Sequence, residues 1–109
     1  MQKRQLLQSM ATLAATSLLP GLVFSQASKS LRLIVPFPPG GATDITARVM
    51  TEPLSRILGQ SVIVENRAGA GGSIGMSEVA KAAADGFTLG VATLSTHGVN
   101  PSVYKKLPY

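Results

Sequence analysis

Three short apolar runs, separated by stretches long enough for a helix, constrain this sequence more than any other feature. Leu31-Arg32-Leu33-Ile34-Val35 carries β-branched residues and stops at Pro36. Ser61-Val62-Ile63-Val64-Glu65 and Phe87-Thr88-Leu89-Gly90-Val91-Ala92-Thr93 have the same character. Runs of this length, bounded by Gly, Pro and polar residues, read as buried strands. Strands that alternate with helices join one sheet as parallel neighbours through right-handed crossovers. The fold class is therefore α/β, built on a β-α-β-α-β unit.

Between the first two strands, Ile45, Val49, Leu54, Ile57 and Leu58 are expected to form the inner face of a helix. Thr43 or Asp44 would cap its start, and Gly59 would end it. Pro53 removes a hydrogen bond and crowds the preceding turn, so a kink or break is expected near Met50 to Glu52. A second helix is expected from a Ser73 cap to about Ala84, with Ile74, Val79, Ala80 and Ala83 inward. Asn100-Pro101 reads as a further helix start. Three parallel strands with two helices leave one edge and one face uncovered. Residues 28–109 are accordingly expected to be the N-terminal part of a lobe in a longer chain.

Residues 1–27 read differently. Lys3 and Arg4 precede an uncharged stretch from Leu6 to Phe24, and Ser25-Gln26-Ala27 puts small residues at a cleavage site. This is the layout of a secretory signal peptide. Gln8, Ser9, Thr12, Thr16, Ser17 and Pro20 interrupt the stretch and argue against a membrane anchor. Lys3-Arg4-Gln5-Leu6-Leu7 also resembles a twin-arginine signal with Lys in the first Arg position, so either export route remains open.

Charge and composition then exclude several classes. The whole chain carries +5 from ten basic and five acidic residues, and losing Lys3 and Arg4 with the leader takes away two of those charges. The rest are scattered, with no basic run beyond Lys105-Lys106, which argues against a nucleic-acid partner. With no Cys and a single His, disulfide scaffolds and thiolate or His-rich metal sites are excluded. No cofactor is implied.

In a parallel β-α-β-α-β unit the strand-to-helix loops share one edge of the sheet, where ligands bind. These loops are Pro36–Ala42, Asn66–Gly72 and Leu94–Val99, rich in Gly and hydroxyl residues. Each precedes a helix N-terminus, whose free N–H groups and dipole favour an anion. Together they read as a carboxylate or phosphate cradle. Gly69-x-Gly71 is followed by Ile74 where a dinucleotide fingerprint needs its third Gly, and no Gly-Lys-Ser/Thr phosphate loop exists. His97 is a candidate base without a discernible nucleophile–carboxylate arrangement. An exported α/β enzyme, hydrolase-like or nucleotide-binding, is the alternative reading.

Several segments resemble one family. Ile34-Val35-Pro36-Phe37-Pro38-Pro39-Gly40-Gly41-Ala42-Thr43-Asp44, Val64-Glu65-Asn66-Arg67-Ala68-Gly69-Ala70-Gly71-Gly72 and Asp85-Gly86-Phe87-Thr88-Leu89 are similar to the tripartite tricarboxylate transporter receptors, the Bug family of periplasmic solute-binding proteins. Thr96-His97-Gly98-Val99-Asn100-Pro101 and Tyr104-Lys105-Lys106-Leu107-Pro108-Tyr109 match as well, while Pro53 departs from the family's helix-forming residue. The resemblance implies a two-lobed periplasmic-binding-protein fold of type 2 that closes by hinge motion. It implies a non-enzymatic receptor that captures a small carboxylate and delivers it to two integral membrane subunits. It further implies that loop backbone and ordered water, rather than an Arg ion pair, hold the carboxylate. Carried over by motif, the ligand-binding residues are Phe37, Pro39, Gly40, Gly41 and Asp44 from the first loop, Ala70 from the second, and Ser95 and Thr96 from the third.

The leader reading has a direct check. Exported protein should accumulate in the periplasm, and its N-terminal sequencing should start near Ser28. A membrane-retained product that still begins at Met1 would contradict it.

Overall fold

The structure, a computed structural model, describes residues 29–109. The expected leader and its cleavage site lie outside the described residues. The element order is β1 (Leu31–Val35), α1 (Ala42–Leu58), β2 (Val62–Asn66), a 3₁₀ turn (Ala70–Gly72), α2 (Ser73–Lys81), β3 (Thr88–Gly90), a wide helical turn (Leu94–Val99) and α3 (Asn100–Val103). The strands form one parallel sheet in the order β2-β1-β3. The expected β-α-β-α-β unit is present, with β1 at its centre.

The register explains the strand lengths. Arg32 pairs with Thr88 and Ile34 with Gly90, and the Val91 N–H still reaches the Ile34 carbonyl at 2.9 Å. The next bond in that ladder would need an N–H from Pro36, which has none. β3 therefore stops at Gly90 rather than at the expected Thr93. On the other side, Leu31 to Val35 pair with Val62 to Asn66. Alternation puts Leu31, Leu33 and Val35 on the face of α1, while Arg32 and Ile34 lie on the face of α2. Ile34, Val35 and Pro36 are fully buried and form the middle of the core.

Both helices turn differently from the expected pattern. α1 starts from Gly41 as N-cap, earlier than Thr43 or Asp44, and runs through Pro53 without a break. Pro53 lies on the exposed side, so the Val49 carbonyl that loses its partner faces water. Asp44 and Ala47 are buried against the sheet, with Thr51, Leu54 and Ser55 half-buried on the same face. Ile45, Val49 and Ile57 point outward at 55%, 70% and 80% exposure. The small Ala47 lets the helix lie close to the strands, and the bulkier stripe is left outside. In α2 the buried residues are Ser73, Gly75 and Met76, while Ile74 is exposed and the helix ends at Lys81, short of Ala84.

The start of α2 is pressed against the end of β1. A Cβ on Gly75 would stand 2.8 Å from the Arg67 carbonyl oxygen and 2.9 Å from Pro36 Cα. A Cβ on Gly72, at φ +90°, would stand 2.5 Å from Thr96 Cγ2 and 3.5 Å from Phe37 Cζ. Because Gly75 meets backbone, a methyl there cannot be absorbed by a rotamer change. Gly75→Ala should therefore destabilise the protein by about 1–3 kcal/mol. Urea unfolding of the full-length protein measures it, and an unchanged midpoint would mean that the contact is not close-packed.

Candidate functional site

The three strand-to-helix loops meet at the carboxyl edge of the sheet. In the order β2-β1-β3 the crossovers turn to opposite sides at β1, which makes the crevice beyond β1 the switch point where open α/β sheets bind ligands. Gly72, in the second loop, lies against Pro36 and Phe37 of the first loop and Thr96 of the third. One residue thus holds all three loops together.

The first loop, Phe37 to Gly41, is held by side chains from outside it. Asp44, in the first turn of α1 and only 3% exposed, accepts from the Gly40 N–H at 2.9 Å. Its Oδ2 also accepts from Arg48 Nε at 2.9 Å, and its Oδ1 from Asn66 Nδ2 at 2.9 Å. The Arg48 bond, followed by those from Gly40 and Asn66, holds the Asp44 carboxyl down at about 2. Asp44 is therefore ionised near neutral pH, with the Arg48 guanidinium beside it to offset its charge. α1 itself has no side-chain cap, and its first intrahelical bond runs from Ile45 N to Gly41 O at 2.9 Å. The N–H groups of Ala42, Thr43 and Asp44 precede that bond and carry the positive end of the helix dipole.

The second loop has an unusual backbone. Gly69, Ala70, Gly71 and Gly72 all have positive φ, and Ala70 at +48° is a non-glycine residue in the left-handed region. Such an outlier costs energy that the surrounding structure must offset, and it concentrates at ligand sites. Asn100, 5% exposed, donates from Nδ2 to the Gly71 carbonyl at 3.0 Å and to Tyr109 Oη at 3.2 Å. Ala70 also lines a cleft of about 360 Å³ together with Ser73, Ile74, Ser77, Tyr104, Lys106, Leu107 and Pro108.

The third loop closes on itself. Thr93 and Thr96 form a reciprocal capping box across the wide turn, with Thr93 N donating to Thr96 Oγ1 at 2.9 Å. Thr96 Oγ1 also lies 2.8 Å from His97 Nδ1. That pair has the outline of a nucleophile and base, but Thr96 is completely buried and out of reach of any substrate. Of the three expected open N-termini, this one is occupied by its own side chains.

An ion-pair network runs along the α2 face toward the second loop. Arg32 Nε donates to Glu65 Oε1 at 2.7 Å, Arg67 Nε to Glu78 Oε2 at 2.8 Å and Arg67 Nη2 to Glu65 Oε2 at 3.0 Å, while Arg32 Nη2 reaches Glu78 as well. Arg32 holds the Glu65 carboxyl below the usual range, and these carboxylates hold the Arg32 guanidinium above its own. Arg67, the only Arg in the second loop, is thereby committed to Glu65 and Glu78. Among the described residues no group of three His, Asp or Glu could hold a metal ion.

Of the expected site residues, Gly40, Gly41, Pro39, Ala70 and Ser95 are exposed and Phe37 is half-buried. Thr96 and Asp44 are buried, and their side chains are spent on internal bonds. The sequence reading did not single out Asn66, Arg48 or Asn100. An Asn at the carboxyl end of a strand, and another at a helix start after a polar loop, were the signals available.

Comparisons with known proteins agree with this architecture. A family model described as "Tripartite tricarboxylate transporter family receptor" matches residues 46–109. Protein BugT of Bordetella pertussis is 49% identical over 83 residues, covering 75% of this chain and 26% of that protein. A solved structure described as a periplasmic transporter superposes with a TM-score of 0.72 at 56% identity, covering 78% of this chain and 29% of that one. Rpa4515 of R. palustris, solved with adipate, gives a TM-score of 0.71 at 40% identity, covering 77% of this chain and 28% of that one. The chain thus spans about a quarter of the length of the curated relatives it matches.

The Asp44 geometry sets an acid limit. Its folded value near 2 lies below the ordinary 3.8. The stability it contributes is therefore complete above about pH 4 and is lost as pH falls through the folded value. Asp44→Asn should lower the thermal midpoint at pH 7 and flatten its decline between about pH 4 and 2. Parallel midpoint curves for both proteins would show that Asp44 is not held this way.

Proposed function

This chain belongs to the tripartite tricarboxylate transporter receptor family, and on that premise we propose that it captures a small carboxylate in the periplasm for delivery to membrane transport subunits. The observation that carries the reading is the open N-terminus of α1 behind Gly41. It offers main-chain N–H groups at the switch point of the sheet, beside an acidic residue whose charge Arg48 offsets. A ligand carboxylate there gains from N–H groups and the helix dipole, with the Asp44 charge offset by Arg48. The adipate in Rpa4515 supports an organic carboxylate as the ligand class. A receptor of this kind has no chemistry of its own, and the buried Thr96 is not an accessible nucleophile.

Gly41 supports the same reading. Its backbone is extended, at φ −79° and ψ 169°, a conformation open to any residue. A Cβ there would meet only the Pro38 carbonyl oxygen, at an ordinary 3.8 Å. The fold itself makes no demand for glycine at this position, and close approach of a ligand to the backbone supplies one. Ser95 and Ala70, both exposed on the neighbouring loops, would complete this lobe's side of the contact.

Isothermal titration of the full-length receptor with a panel of small carboxylates tests the proposal. Gly41→Val should weaken the preferred ligand at least tenfold, or ~1.4 kcal/mol. Its cost to stability should stay within about 1 kcal/mol, the range of an N-cap change. Unchanged affinity would reduce Gly41 to a turn residue, and no binding across the panel would overturn the carboxylate reading.

A further inference from the structure

We infer that Asn66 is a positioning residue for carboxylate capture, holding the Phe37–Gly41 turn in shape from the end of the neighbouring strand. The inference rests on that turn being the carboxylate site. Asn66 is the last residue of β2 and pairs in register with Val35, the last residue of β1. Its side chain lies on the α1 face. There Nδ2 donates to the Phe37 carbonyl at 3.0 Å and to Asp44 Oδ1 at 2.9 Å, while Oδ1 accepts from Arg48 Nη2 at 3.0 Å. The amide orientation follows from chemistry, since two acceptors lie on one side and a guanidinium on the other.

The consequence is a closed loop of bonds. Asn66 grips the entrance of the turn at Phe37, and through Asp44 it grips the exit at the Gly40 N–H. Between those points Pro38 and Pro39 have no N–H to give, so the turn cannot brace itself with their backbone. An ordered turn costs the ligand less on binding, because its conformational entropy is already spent. The position calls for two donors on a short side chain. Asp would put a second carboxylate beside Asp44, and Leu would leave the Asp44 and Phe37 oxygens unpaired in a buried setting.

The double exchange Asp44→Asn with Asn66→Asp separates positioning from stability. It rebuilds an amide–carboxylate pair next to Arg48, but the carboxylate then at the end of β2 has no hydrogen to give the Phe37 carbonyl. In the full-length receptor, titrated with adipate, citrate and nicotinate, Asn66→Asp should bind the wild type's preferred ligand at least tenfold more weakly. The exchange should regain most of the thermal midpoint and little of the affinity. Hydrogen exchange should quicken at the Gly40 amide in both variants and stay slow in β1. Should Asn66→Asp fail to fold, Asn66→Ser is read by the same criteria. Affinity within twofold of wild type in any folded variant, or affinity that returns together with the midpoint, would overturn the positioning role. Failure of the wild type to bind any of these ligands would instead overturn the carboxylate reading beneath it.

Discussion

The contact on which the rest depends is the one between the end of β1 and the start of α2. Pro36 is fully buried there, and the glycines at 72 and 75 let the α2 backbone come within reach of Pro36 and Thr96. Any side chain larger than hydrogen would push the second and third loops off the first. Close packing of this kind transmits position, because interiors at near-crystalline density do not deform continuously. The same Pro36 ends the β1–β3 ladder by withholding an N–H. One residue therefore stops the sheet and seats the helix whose preceding loop completes the crevice.

The electrostatics at this edge follow a consistent pattern. Arg32 and Arg67 are paired with Glu65 and Glu78, and Asp44 is paired with Arg48. The guanidinium groups of Arg32, Arg48 and Arg67 are thus occupied with carboxylates of this chain. The groups left facing the crevice from the first loop are main-chain N–H groups at the start of α1. A cradle of that type recognises a carboxylate by geometry and dipole, and it tolerates variation in the rest of the ligand. Under the proposed function, these N–H groups are this chain's share of the ligand contact.

Much of this fold was legible in the sequence. The strands announced themselves by short β-branched runs, and their alternation with helices fixed the parallel topology and the shared loop edge. The inward faces of the helices were not legible. Ile45, Val49 and Ile57 made the stronger apolar stripe, yet Ala47 and Asp44 face the sheet, because close approach there favours small size and a buried hydrogen-bond network over hydrophobicity. Pro53 read as a break and proved tolerable, since the carbonyl it strands is solvated. In the site, the Gly-rich loops were visible as such. Asn66 was not, because its role needs a partner 22 residues away on α1, a separation that no local pattern reports.

The central claim is that main-chain groups of the first loop and of the α1 N-terminus hold the ligand carboxylate. The most direct measurement is a crystal structure of the full-length receptor with its preferred carboxylate bound. The account predicts a carboxylate oxygen about 2.7–3.2 Å from the N–H groups of Ala42 or Thr43, with Arg67 still paired to Glu65 and Glu78. A carboxylate bound to the Arg67 guanidinium, or seated away from the Gly40–Gly41 turn, would contradict it.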